Sequence, residues 1–490
     1  MPSPAVGVAL AAFAAALARP GNSDTLWHLA LGRWILTRRA IPDISSFYYS
    51  GTTGFGYDYS WLAQALLYGA YRLLGGAGIA ILNAVVAGFI FYFLYKLLER
   101  NSVNMLVNFV ALCLALATTT AYLSGRPAMF TVALFTLELF ILSGWAASGG
   151  AGGSTRPFRL LIWLIPPLTA LWANLHPGFP VAPLLILLFL PLGERARDRW
   201  VMAACLAATC AAIALNPYGW RMYLMPLEMA RALPMLRGLT EWTGVSGVEA
   251  VLWGGFVALV TCGLALRRQP LPLVVLTAGA ALAAGVSNRN MPLFGVVAVF
   301  ILGRTLIPVL APGLGRVRLV RKFEVKFEAV GGWFWVIAVP LFVAGAERLG
   351  MPLTDLSFNF SIYPSAAVQY LEKHACPERI FVREDWSGYL LWTFPDRQLF
   401  YDAKGGFSRE ATLAHSQLVK PKAEWRGVVD RFGLSTMLLD RGSPLAVLLS
   451  EASGWRREYS DSLFEVFVRR PRDPEQALFP SSPGPVTTEQ

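Results

Sequence analysis

The chain has 490 residues, 15% charged and 55% hydrophobic, a formal net charge of +11 and a mean hydropathy of +0.49. Soluble domains carry about 25% charged residues, so this composition excludes an ordinary soluble globular protein and describes a multi-pass membrane protein. The positive balance does not point to nucleic acid, because Lys and Arg cluster in short loops between apolar runs, where orientation in the bilayer accounts for them.

A spanning helix needs roughly 20 apolar residues. The first apolar segment, Ser3 to Arg19, is slightly shorter; its run AAFAAALA resembles a cleavage region without the basic n-region of a signal peptide, and it is read as a retained helix. Further spans are predicted at Gly78 to Leu98, Val103 to Leu123, Pro127 to Trp145, Leu160 to Leu175, Pro180 to Leu192, Val201 to Leu215, Val251 to Leu266, Leu271 to Val286, Pro292 to Leu310 and Trp333 to Ala346, about eleven in all. With the N-terminus cytoplasmic, the inside loops receive Lys96 and Arg100, Arg156 and Arg159, Arg195 to Arg199, Arg267 and Arg268, and the basic run from Arg316 to Lys326, so every inside loop is basic. Ser148 to Ser154 reads as a flexible linker on that side. The same threading places the polar motifs on the opposite face: the Asp24 loop, Ser124 to Pro127, Trp172 to His176, Asn216 to Arg221, Glu241-Trp242 and Ser287 to Asn290.

Residues 1–352 are thus read as the membrane domain, with an outer loop at 20–76. Residues 353–470 change to ordinary composition and read as a small α/β domain outside the cytoplasm. There SAAVQYLEKHA, AEWRGVVDRFG and SPLAVLLSEASG are predicted helices, the last capped by Ser443, while RIFVR, QLFYDA and TMLLD are strands and REYSDSLFEVFVRR a hairpin. Residues 471–490, rich in Pro and Ser, are read as disordered. Cys113, Cys205, Cys210 and Cys262 fall in apolar segments and Cys376 stands alone in the water-facing region, so no disulfide framework is legible. The four histidines lack the paired spacing of a zinc hydrolase.

The stretch DTLWHLALGRWIL, starting at Asp24, reads as a helix lying in the membrane interface on Leu26, Leu29, Ala30, Trp34 and Ile35, with Trp27 and Trp34 as anchors. Asp24 either caps this helix or is a general base, with His28 beside it and Asp43 and Asp58 as further carboxylates in the loop. Arg33, Arg126, His176, Arg221 and Arg289 stand near the same boundary. Arginine grips phosphate bidentately, so an anionic lipid head group is the natural partner; snorkelling to the interface is the competing account of each arginine. Asn216 to Gly219 reads as a turn.

Taken together, D-x-x-W-H-L-A-x-G-R-W-I-L from Asp24, the P-x-x-x-x-F from Pro42 to Phe47, Gly125-Arg126-Pro127, Trp172 to His176, Asn216 to Trp220 and Asn288 to Phe294 resemble a family of bacterial multi-pass proteins similar to GT-C type glycosyltransferases. The resemblance implies a mainly α-helical, GT-C-like membrane fold with a small C-terminal extracytoplasmic α/β domain, in the bacterial inner membrane. It implies transfer of a sugar from a polyprenyl-phosphate-linked donor to an extracytoplasmic acceptor, with Asp24 as the catalytic acidic residue of the first outer loop, a carboxylate base. Relatives carry H-E-W where this chain has Tyr59-Ser60-Trp61, which leaves Asp58 as the candidate second carboxylate and a divalent metal cofactor as an open question. A second likeness, around Arg383 to Tyr389, is to oligosaccharyltransferase catalytic subunits, and would make Asp385, Trp386 and Tyr389 acceptor-binding. Transfer of a whole lipid-linked glycan and flipping of lipid-linked sugars are the alternative functions.

Overall fold

The computed structural model describes residues 3–17, 24–51, 56–100, 105–119, 123–147, 156–193, 195–236, 243–314, 363–374, 377–402 and 408–470. The span expected at Trp333 to Ala346, the Ser148 to Ser154 linker, Glu241, Trp242, Cys376 and the stretch from Pro471 lie outside the described residues. The chain divides into two units, residues 1–43 with 57–358 and residues 44–56 with 359–490.

The first unit is helical: α1 (Pro4–Leu17), α2 (Thr25–Arg38), α3 (Trp61–Leu74), α4 (Gly76–Glu99), α5 (Met105–Thr119), α6 (Ala128–Ala147), α7 (Arg156–Leu161), α8 (Ile165–Leu175), α9 (Val181–Phe189), α10 (Ala196–Ile213), α11 (Met225–Leu236), α12 (Gly247–Leu266), α13 (Leu271–Val286), α14 (Met291–Arg304) and α15 (Leu306–Leu314). Among the described residues, five stretches are long and apolar enough to cross a membrane: Gly76–Glu99, Ala128–Ala147, Phe158–Leu175, Gly247–Leu266 and Asn288–Leu310. Eleven full-length spans are not found among the described residues. Short 3-10 turns at Ile162–Leu164 and Leu190–Leu192 interrupt two of the apolar runs, because proline removes a backbone donor and the tighter turn takes up the break.

The expected interfacial helix is real as a helix and different in its surroundings. Thr25, Leu26, Trp27, Leu29, Ala30, Leu31, Gly32 and Ile35 of α2 are all buried, so α2 packs within the protein rather than resting on it by one face. Its contact with α3 is as close as backbones allow, since a Cβ at Gly32 would lie 2.2 Å from the Gln64 carbonyl oxygen. Trp27, expected as a membrane anchor, is buried and packs edge-on to His28.

The second unit is a four-stranded sheet of β1 (Ile380–Phe381), β2 (Thr436–Asp440), β3 (Trp455–Ser460) and β4 (Phe464–Arg469) in the order β1-β2-β4-β3. β1 runs parallel to β2, with Ile380 opposite Thr436; β2 and β4 are antiparallel, with Met437 opposite Phe467, and β3 and β4 form the predicted hairpin. Helices α16 (Ser365–Lys373), α17 (Glu384–Thr393), α18 (Arg409–Val419), α19 (Trp425–Phe432) and α20 (Pro444–Glu451) complete it. Trp425, Val428, Val429 and Phe432 are the buried residues of α19, the i, i+3, i+4, i+7 stripe of an amphipathic helix. Ser443 caps α20 by accepting the Ala446 N–H at 3.4 Å.

QLFYDA does not form a strand of the sheet. Its Leu399 instead makes a parallel bridge with Tyr48, donating to the Phe47 carbonyl at 2.7 Å and accepting from the Tyr49 N–H at 3.1 Å. The outer loop is therefore divided, and its stretch Ile44–Gly56 is built into the C-terminal unit. The Tyr49 hydroxyl donates to the Ile380 carbonyl at 3.1 Å and Gln398 donates to the Ser46 carbonyl at 2.9 Å, which fixes the added segment from both sides.

Candidate active site

Asp24 precedes the first turn of α2 but its side chain does not cap the helix. The carboxylate instead forms an ion pair with the guanidinium of Arg126, with both side chains mostly buried. Two hydrogen bonds hold the Ser124 to Pro127 loop so that Arg126 reaches it: the Thr25 hydroxyl at the start of α2 donates to the Ser124 carbonyl at 3.2 Å, and the Gly125 N–H donates to Asn83 Oδ1 of α4 at 2.9 Å. Asn83 is fully buried. A buried amide satisfied by a loop N–H is an anchor, so α2, α4 and this loop meet as one construction.

His176 follows the last residue of α8 and is also buried. Its Nδ1 accepts the Gly178 backbone N–H at 3.1 Å and lies 2.8 Å from the Thr131 hydroxyl, which in turn accepts the Trp172 indole N–H at 2.8 Å. A backbone N–H can only donate, so Nδ1 must be unprotonated and the ring proton sits on Nε2. Burial first, and then the positive charges of Arg289, His28 and Arg126, hold the imidazole well below its ordinary range. His176 is thus a neutral N–H donor rather than a base. The same electrostatic neighbours show that Asp24's partner Arg126, His28 on the next turn of α2, and Arg289 on the 3-10 turn Asn288–Asn290 converge around it. The guanidinium groups of Arg126 and Arg289 thus stand against one carboxylate, that of Asp24, and the cluster is net cationic.

Gly178 is needed for this arrangement. A Cβ there would stand 2.5 Å from Thr131 Oγ1 and 2.8 Å from its Cγ2, so Gly178→Ala is expected to push Thr131 off His176 at a cost of about 1–3 kcal/mol. A lowered thermal midpoint measures this; an unchanged midpoint would mean that the bracket around the imidazole is loose.

The other expected site residues stand elsewhere. Arg33 lies about 180° around α2 from Asp24, and is half-buried. Arg221 is exposed and sits 6.0 Å over the Tyr57 ring. Tyr57 in turn packs against Tyr218 and Tyr59, with ring centroids 4.5 and 6.0 Å apart, and Tyr59 donates to Glu228 at 2.7 Å. Asp58 is buried in this second cluster, its backbone N–H bound to the Tyr218 hydroxyl at 2.8 Å and its Oδ1 accepting from Gln64 at 2.9 Å. In the C-terminal unit, the Arg383 guanidinium bridges Asp385 and Asp440 and covers the Trp386 ring, which also packs edge-to-face with Phe464. Trp386 and Tyr389, expected to bind an acceptor, are buried within α17, Tyr389 stacked on Tyr363. Of this trio only Asp385 presents an exposed side chain.

Beside the clusters an apolar groove of about 570 Å³ is lined by Trp61, Leu62, Leu171, Asn174, Leu215 and Pro217, among others. The Trp61 indole donates to Asn174 Oδ1 at 3.0 Å, and the Asn174 amide donates to the Ala170 and Leu215 carbonyls. With its polar atoms so engaged, the groove suits an apolar chain. Asn174 and His176 are two residues apart, so the end of α8 contributes to both groove and cluster. Among the described residues no group of three or more His, Cys, Asp or Glu could hold a metal ion, and the Asp24 carboxylate is turned to Arg126.

No family model and no curated protein matches the chain. Solved structures do. The archaeal oligosaccharyltransferase AglB from Archaeoglobus fulgidus, in complex with an inhibitory peptide and a dolichol-phosphate, aligns over 95% of this chain and 74% of its own with a TM-score of 0.54 at 12% identity. The apo form of the Archaeoglobus fulgidus oligosaccharyltransferase aligns over 89% and 69% with a TM-score of 0.55, again at 12% identity. The same enzyme tethered to an acceptor peptide containing the NVT sequon gives 0.52 at 11% identity, over 95% and 74% of the two chains. The chain therefore shares its fold with these solved oligosaccharyltransferases.

Proposed function

We propose that this protein is a membrane glycosyltransferase that takes a sugar from a polyprenyl-phosphate-linked donor and passes it to an acceptor outside the cytoplasm. The observation that carries the reading is the meeting of Asp24, Arg126, His28, His176 and Arg289 in one net cationic cluster, within a fold shared with an enzyme solved in complex with a dolichol-phosphate. The acceptor hydroxyl or amide attacks the anomeric carbon, the bond from that carbon to the phosphate oxygen breaks, and Asp24 receives the acceptor proton. Negative charge grows on the departing polyprenyl phosphate. Arg126, Arg289 and the Nε2–H of His176 lie in wait for it, and donors already aimed at developing charge need no reorganisation during the reaction. Arginine has five N–H donors, so Arg126 holds the Asp24 carboxylate and a phosphate oxygen together. The prenyl chain lies in the groove at Trp61 and Leu171.

The oligosaccharyltransferase architecture also favours a second reading, transfer of a complete lipid-linked glycan through the same bond changes. Mass spectrometry of lipid-linked and surface glycans, with and without the gene, tests both. Loss of the gene is expected to leave a lipid-linked precursor at the outer leaflet and to remove a mass from an acceptor. A mass of one sugar fits the first reading and that of a full glycan the second. A precursor trapped at the inner leaflet would instead identify a flippase and overturn both.

A further inference from the structure

Asp58 and Gln64 form a pair whose hydrogen bonding is incomplete in a specific way. Both side chains are enclosed, at 1% and 0% exposure. Gln64 Nε2 donates to Asp58 Oδ1 at 2.9 Å, and the Ser60 N–H donates to the same oxygen at 3.1 Å. The other oxygen of each group, Asp58 Oδ2 and Gln64 Oε1, is buried with no hydrogen-bond partner. Both are acceptors when Asp58 is ionised, and no arginine or lysine among the described residues pairs with the carboxylate. A buried unpaired charge and two orphaned acceptors are each costly.

One proton removes all three penalties. A carboxylic acid and a primary amide are complementary: the amide N–H donates to the acid carbonyl and the acid O–H donates to the amide carbonyl. The first bond of that ring is already present, and the two atoms left over are the two that the second bond needs. We propose that Asp58 and Gln64 form a buried proton-binding site, with Asp58 as the neutral acid donating from Oδ2 to Gln64 Oε1.

The site is placed to position the loop before α3. The Asp58 carbonyl accepts the Trp61 N–H, its N–H reaches Tyr218, and Gln64 lies where α3 meets Gly32 of α2. The proton therefore holds the Tyr57, Tyr59 and Tyr218 cluster in register with the start of α3. Burial raises the Asp58 carboxyl to about 7, against smaller opposing effects of the Ser60 and Gln64 hydrogen bonds. The ionisable groups on the elements around it are Tyr57 and Tyr59 on its own loop, Tyr68, Tyr71 and Arg72 on α3, Tyr218, Arg221 and Tyr223 after α10, Glu228 and Arg231 on α11, Asp43 acting on Tyr218, and His28, Arg33 and Arg38 on α2; α8 brings none. A carboxyl raised on folding stabilises the fold fully below its unfolded value near 4, and the contribution is lost as pH rises through about 7. Over that window the folding constant falls by up to about tenfold per pH unit from this group.

The inference does not depend on the proposed activity, and its test reads neither transfer nor donor binding. In the full-length detergent-solubilised protein, carrying aspartate labelled with ¹³C at the side-chain carboxyl so that Glu138 does not interfere, infrared spectra should show an un-ionised aspartic acid carbonyl at pH 6 that disappears above pH 8. Asp58→Asn supplies an amide that closes the same ring with Gln64, so its thermal midpoint should match or exceed the wild type, most of all at pH 8, and the titrating band should be gone. Asp58→Ala should lose stability at every pH. Absence of the band at pH 6 from the wild-type protein, or an Asn variant as unstable as the Ala variant, overturns the proposal.

Discussion

Asp24→Asn is expected to lower transfer by two to four orders of magnitude, the usual range for removing a positioned general base, while the protein still accumulates in the membrane. The substitution keeps size and an accepting oxygen but removes the charge that faces Arg126. Since both side chains are mostly buried, some stability goes with it, on the order of 1–2 kcal/mol, because a guanidinium left without its counter-ion keeps its desolvation cost. The two effects separate in a double-mutant cycle with Arg126→Gln. The stability losses should overlap, giving a double variant less destabilised than the sum, whereas transfer by the double variant should stay at the floor set by Asp24→Asn. Measuring both quantities on purified protein decides the matter: transfer within threefold of wild type in Asp24→Asn would make this carboxylate a structural counter-ion and nothing more.

Arg289→Ala is expected to weaken binding of polyprenyl phosphate by roughly 10–100-fold, the worth of one charge-assisted contact to phosphate. The effect on folding should be small. The turn that carries Arg289 is held by its neighbours: the Asn288 N–H donates to the Thr243 carbonyl at 3.1 Å, the Asn288 amide to Glu249 at 3.0 Å, and the Asn290 amide to the Ala283 carbonyl at 3.1 Å. Arg289→Lys retains the charge without the planar fork and should fall between the two. Removing the charge also takes away the largest cause after burial that holds His176 low, so the imidazole should move back toward its ordinary range. Unchanged affinity for polyprenyl phosphate in Arg289→Ala would dissociate this residue from the phosphate.

In a membrane chain every polar residue beside an apolar run needs a reason, and this is why Asp24, His28, Arg126, His176 and Arg289 stand out in sequence. Their supports do not. Thr131, Gly178 and Asn83 are ordinary residues within or next to apolar stretches, and only the packed helices show that one holds an imidazole tautomer and another anchors a loop. Arg33 illustrates the opposite error: closeness in sequence to Asp24 says nothing when the helix turns it to the far side. Arg221 and Asp58 share chemistry with the first cluster but are drawn to the tyrosine cluster of Tyr57, Tyr59 and Tyr218, a choice made by tertiary packing. Trp386 and Tyr389 were expected at an acceptor surface, where the helix α17 buries both. In the C-terminal unit, alternation and capping placed the hairpin and α20 well, because each is a local matter. The partner of Leu399 was illegible for the converse reason, being some 350 residues away at Tyr48.

That long-range bridge decides how the C-terminal unit can be handled by itself. A fragment beginning at residue 359 would carry the sheet and five helices yet lack the segment that saturates the carbonyls of Ile380, Leu399 and Phe400 and the N–H of Leu399. Those groups would form an open edge, inviting self-association. Autonomous folding therefore calls for residues 44–56 to be supplied as well, either fused through a linker or added as a complementing peptide.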